Sequence, residues 1–136
     1  GISDGLGYGA NARAALITRG MSETLRLALS LGAETETMIG LSGIGDLILT
    51  CTDDQSRNRQ LGLAIGRGMT VEQAVIEVGK TVEGVHAARE VLIRAKQAGI
   101  EMPIVEQVYK VLFENAVPRQ AVQALLCREQ KAEIEH

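Results

Sequence analysis

The chain has 136 residues, 46% of them apolar and 23% charged, with a formal net charge of −3. That length suits one domain around one core, and the acidic balance with only three aromatic residues argues against a nucleic-acid face, which needs cations and stacking platforms. Cys51 and Cys127 are too few for a disulfide framework and read as free thiols of a reducing, cytoplasmic setting; no apolar run approaches the roughly 20 residues of a membrane span, and no signal peptide opens the chain.

With aromatics nearly absent, the core falls to Leu, Ile, Val, Ala and Met, a palette that favours helices. The opening, Gly1 to Ala10, holds four glycines with Ser3 and Asp4 and reads as a loop that permits close helix packing. Its Gly5-Leu6-Gly7-Tyr8-Gly9 lacks the spacing and the preceding strand of a dinucleotide loop. A start at Gly1 in place of Met suggests a domain of a longer protein or a processed fragment. Asn11 to Leu31 is the longest periodic segment, with Asn11 as its cap and Gly32 as its stop. Arg13, Arg19, Glu23 and Arg26 form its polar side, Arg19 and Glu23 being spaced to pair, and Gly20 marks a close crossing by a neighbour.

A short helix over Glu34–Leu41 follows, and Ser42 caps a further turn carrying Asp46. The only β-like run, Ile48–Thr52, is short. Ser56 to Arg67 makes the next helix, and Thr70 with Gln73 forms a capping box for a helix to Val78 with Val71, Ala74, Val75 and Val78 inward. Lys80–Gly84 is a turn. Val85–Ala98 is a helix ended by Gly99, Pro103 opens another to Asn115, and Pro118 opens the last, with Ala121, Val122, Ala124 and Leu125 inward. Arg128–His136 reads as a charged tail. The expected fold is all-α, one domain of seven or eight helices without repeats.

Most site chemistries find no footing here. His86 and His136 stand alone, no H-E-x-x-H or Cys-x-x-Cys offers a metal site, and neither a G-x-S-x-G elbow nor a P-loop occurs. One stretch gathers polar groups: Gly43 to Asn58 contains two glycines, Asp46, Thr50 and the triplet Ser56-Arg57-Asn58. Asp46 and Thr50 are four apart and share a helix face. The triplet falls at a helix start, where unpaired N–H groups and the positive dipole end suit an anion such as a phosphomonoester. Two plainer accounts also fit: Asp46 as an acid favoured at a helix amino end, and Arg57 as a surface ion pair.

The run Gly43-Ile44-Gly45-Asp46-Leu47-Ile48-Leu49-Thr50-Cys51-Thr52 followed by Ser56-Arg57-Asn58 resembles the bacterial-type NAD(P)-dependent sn-glycerol-3-phosphate dehydrogenases. Asn11–Gly20, Val82-Glu83-Gly84 and Glu101-Met102-Pro103-Ile104 with Tyr109 are similar to that family too, so the likeness spans essentially the whole chain. The resemblance implies a C-terminal helical substrate domain over residues 1–136, built like that of 6-phosphogluconate dehydrogenase. The resemblance further implies an N-terminal Rossmann domain and a catalytic lysine that lie outside these 136 residues. It implies interconversion of dihydroxyacetone phosphate and sn-glycerol 3-phosphate with NAD or NADP, supplying glycerophospholipid synthesis, and a homodimer is plausible from the apolar helical surface.

Carried over position by position, Asp46 matches the acid that orients the substrate oxygen, and Thr50 a hydroxyl of the same pocket. Ser56, Arg57 and Asn58 match substrate-phosphate contacts, while Arg57, Thr81 and Glu83 match cofactor contacts. Thr81 stands where an apolar residue is expected. No metal is implied, and the 136 residues alone are expected to have no dehydrogenase activity. Two alternatives stay open: a non-catalytic helical module for phosphate binding or dimerisation, and a related 2-hydroxy-acid dehydrogenase domain.

Overall fold

The structure, a computed structural model, describes residues 1–32, 51–53, 56–79 and 83–134, the side chains at 83–84 and 128–134 aside. The described residues form helices α1 (Ile2–Gly5), α2 (Ala10–Ser30), α3 (Arg57–Gly66), α4 (Val71–Val78), α5 (Glu83–Ala98), α6 (Pro103–Phe113) and α7 (Pro118–Ile134), with no strand among them. The all-α expectation holds. The expected helix over Glu34–Leu41 and the turn carrying Asp46 lie outside the described residues.

Local signals set most boundaries. Thr70 Oγ1 accepts from Gln73 N while Gln73 Oε1 accepts from Thr70 N, each at 3.1 Å, which closes the capping box of α4. Pro103 occupies the first turn of α6, where its missing N–H costs nothing. Several expectations shift. The opening is not wholly a loop, because Ile2–Gly5 winds into one helical turn. Gly9, not Asn11, precedes the first residue of α2, and no side chain caps that helix. α5 begins at Glu83, so Glu83 and Gly84 are helical rather than turn. α6 stops at Phe113, two residues before Asn115, which adopts a left-handed φ of 57°. α7 runs on to Ile134 through most of the expected tail.

The core centres on Leu61 and Ile65 of α3, Ala74 of α4, Val111 of α6 and Ala121 of α7. Val75 and Ala124, expected inward, are exposed. α1 packs chiefly on α3, and the reason is steric. Gly1 and Gly5 on one side meet Gly62 and Gly66 on the other, both pairs spaced by four. A Cβ on Gly62 would lie 2.8 Å from Ile2 N and 2.9 Å from Gly1 Cα, so only hydrogen fits between the two backbones. The close crossing expected at Gly20 is therefore here instead. At Gly20 the nearest atom to a Cβ would be Ile104 Cδ1, at an ordinary 3.8 Å.

Glu23 overturns its assignment most clearly. Expected on the polar side of α2 and paired with Arg19, it is 1% exposed and the largest fully buried side chain among the described residues. Its Oε1 and Oε2 accept from the Ile104 N–H of α6 at 2.9 and 3.2 Å. The first N–H groups of a helix lack intrahelical acceptors, and α6 has no cap from its own sequence. A carboxylate delivered from α2 fills that role at the positive end of α6 and ties the two helices together. Burial raises its pKa above the ordinary 4.5, against the lowering effect of the bonds from Ile104 and Val105 and of Arg26 and Arg19.

Candidate functional site

The amino end of α3 carries the polar triplet. Ser56 is the N-cap residue, in extended conformation, and its Oγ accepts from Arg59 N at 3.4 Å. A β-region Ser before an apolar-periodic helix adopts this geometry because its oxygen replaces one missing intrahelical acceptor. The hydroxyl proton of Ser56 is still available to donate to a ligand. Arg57 and Asn58, the first two residues of α3, are exposed. The expected placement of Ser56, Arg57 and Asn58 together at a helix start holds. The positive dipole end, a guanidinium, a carboxamide and a hydroxyl lie within one turn, a donor set that suits a dianionic phosphate.

Asn58 also lines a cavity of about 270 Å³ with Ser3, Leu16, Ile104, Gln107 and Val111. Ser3 Oγ is buried and has no hydrogen-bond partner among the described residues. The cavity walls are mostly aliphatic, so it continues the site as a largely apolar recess rather than a second anion cradle.

Behind the triplet sits an ion cluster that sequence spacing did not reveal. Asp4 Oδ2 accepts from Arg59 Nη1 at 2.7 Å and from Arg13 Nη1 at 3.0 Å. The same Arg59 Nη1 donates to the Cys51 carbonyl at 2.9 Å. The Asp4 and Arg59 side chains are 11% and 10% exposed. Partial burial raises the Asp4 pKa, but the hydrogen bonds from Arg59 and Arg13 and their positive charges outweigh it and leave a net lowering. Asp4 thus stays ionised at neutral pH and welds the glycine-rich opening to α2 and α3. The signal available in the sequence was an acid within a glycine-rich turn, with no indication that its partner lay 55 residues on.

Cys51 is half-buried, and burial pushes its thiol pKa up, so it supplies no thiolate nucleophile at neutral pH. His86 is exposed, as its isolation suggested. Asp46, Thr50 and Thr81 lie outside the described residues. Glu83 is the first residue of α5, and its side chain lies outside the described part of the structure. Among the described residues no cluster of three metal-ligating side chains occurs, and no helix is long and apolar enough to cross a membrane.

The family model for the C-terminus of NAD-dependent glycerol-3-phosphate dehydrogenase matches residues 1–123. The chain belongs to this family. It is 61% identical over 133 residues to glycerol-3-phosphate dehydrogenase (NAD(P)+) of Nitrosococcus oceani, covering 98% of this chain and 39% of that protein. It is 58% identical over 133 residues to the enzyme of the same name from Pseudoalteromonas translucida, covering 98% of this chain and 40% of that one. A crystal structure of glycerol-3-phosphate dehydrogenase from Coxiella burnetii superposes with a TM-score of 0.89 at 51% identity, over 92% of this chain and 38% of that one. The chain thus spans about two fifths of the length of these relatives, and the resemblance read from its motifs is borne out together with the all-α fold.

Proposed function

We propose that the chain forms the substrate-binding half of an oxidoreductase that interconverts dihydroxyacetone phosphate and sn-glycerol 3-phosphate, with NAD or NADP as hydride carrier. The observation that carries this reading is the amino end of α3, where Ser56 caps the helix and leaves Arg57 and Asn58 exposed at its positive end. A phosphomonoester takes up that donor set: the Arg57 guanidinium binds two oxygens as a fork, while Asn58 and the Ser56 hydroxyl donate to others.

In this reading Asp46 orients the substrate oxygen together with a lysine of the longer protein, and Thr50 contributes a hydroxyl to the same pocket. Held by its phosphate, the substrate presents C2 to the hydride carrier in one orientation. That anchoring converts remote binding energy into positioning at the reacting carbon. The exposed guanidinium of Arg57 also fits a phosphate-bearing cofactor, with Thr81 and Glu83 as the remaining contacts on this side. The nicotinamide, when bound, supplies or accepts the hydride at C2. The product feeds glycerophospholipid synthesis, the setting is cytoplasmic, and the assembly is a homodimer.

The discriminating experiment is Asp46→Asn in the full-length protein. Loss of turnover by about a hundredfold or more with the KM for dihydroxyacetone phosphate little changed supports the assigned role. Unchanged turnover favours the non-catalytic phosphate-binding module instead.

A further inference from the structure

Arg59 stands one residue beyond the triplet and touches everything that fixes its position. Its backbone N–H donates to Ser56 Oγ, the cap of α3. Its guanidinium, nine-tenths buried, donates to Asp4 in the glycine-rich turn and to the carbonyl of Cys51. Its own carbonyl would lie 2.7 Å from a Cβ placed on Gly1, within the close α1–α3 crossing. Cys51 directly follows Thr50 in the chain and Ser56 directly precedes Arg57. Arg59 therefore ties the backbone at Cys51 to the helix start that carries Ser56, Arg57 and Asn58, and Asp4 fixes that tie to α1.

We propose that Arg59 is a positioning residue: held by Asp4, it sets the register of the Cys51 backbone against the first turn of α3, so that the Ser56-Arg57-Asn58 donors converge on one phosphate. The proposal rests on the phosphate-clamp reading above. Arg59 touches no substrate in this scheme. A guanidinium suits the task because its planar fork reaches a carboxylate and a carbonyl at once, whereas an ammonium is a single point of contact.

The test compares Arg59→Lys with Arg57→Ala in the full-length protein, reading kcat, the KM for dihydroxyacetone phosphate and competitive inhibition by inorganic phosphate. Arg59→Lys keeps the charge and should hold the melting temperature within a few degrees. It is expected to raise both KM and the phosphate inhibition constant by about tenfold, in parallel, because misaligned donors weaken each alike. If Arg59→Lys does not fold, Asp4→Asn, which keeps size and an acceptor while freeing the guanidinium, is expected to raise the same two constants. A folded variant with unchanged KM and phosphate inhibition, while Arg57→Ala raises both, overturns the positioning role and leaves the clamp standing. If Arg57→Ala too leaves both unchanged, the clamp reading itself fails. A drop in melting temperature with no change in either constant marks Arg59 as structural only and also overturns the proposal.

Discussion

Glu23 offers a stringent trial of the packing account, because one buried carboxylate is assigned two opposing effects. Its oxygens accept from the Ile104 N–H at 2.9 and 3.2 Å and cap α6 from outside. A hydrogen bond to a charged acceptor contributes about 1.5–3 kcal/mol, and an orphaned donor costs about 1–3 kcal/mol. Glu23→Ala removes the acceptor, strands the N–H groups at the start of α6 and leaves a void at a position 1% exposed. A loss of about 2–4 kcal/mol is expected from guanidinium denaturation followed by far-UV circular dichroism. Glu23→Gln keeps the shape and one acceptor oxygen while removing the buried charge, and should stay within about 1 kcal/mol of the parent at neutral pH.

The pH dependence follows from the raised pKa of Glu23. The folded state holds that proton more tightly than the unfolded chain does, so the contribution of Glu23 is greatest below its unfolded value. It declines as pH rises through the higher folded value. The Gln variant should lose this part of the pH profile. A Glu23→Ala protein as stable as the parent, or a Gln variant as damaged as the Ala variant, would refute the reasoning. The second outcome would mean that the charge acting on the helix dipole, and not the hydrogen bond, holds α2 to α6.

The glycines give a contrasting pair. Gly62→Ala places a methyl 2.8 Å from Ile2 N, between two backbones that cannot separate without opening the core, and is expected to lower stability by about 1–3 kcal/mol in the same denaturation assay. Gly20→Ala meets only the flexible tip of Ile104 at 3.8 Å and is expected to raise stability by about 0.5–1 kcal/mol through helix propensity; a loss there would mean that α2 and α6 approach more closely than described.

What could be read from the sequence were the features that local chemistry sets. Thr70 with Gln73, Ser56 before α3, Pro103 at the start of α6 and the glycines after α2 and α5 all act within a few residues of themselves. What could not be read depended on partners distant in the chain. Glu23 sits amid arginines and looks solvent-facing until α6 supplies N–H groups 81 residues away. Asp4 and Arg59 gain their meaning only from the crossing of α1 over α3. That crossing left a trace in the four-residue spacing of Gly1 with Gly5 and of Gly62 with Gly66, which reads as a close helix contact only when both motifs are seen as partners. At the site, the helix-start position of Ser56-Arg57-Asn58 followed from a polar run that precedes an apolar-periodic segment, whereas the roles of Asp46, Thr50, Thr81 and Glu83 came from family resemblance and are assignments for experiment.

The central claim is that α3 presents a phosphate clamp to the substrate. In the full-length protein, kcat/KM should be compared for dihydroxyacetone phosphate and for dihydroxyacetone, with Arg57 intact and with Arg57→Ala. The account predicts strong preference for the phosphorylated ketone and a fall in that preference of about a hundredfold or more in the variant, as a lost bidentate charge-assisted contact implies. A variant that loses activity equally toward both ketones, or keeps its preference, would contradict it.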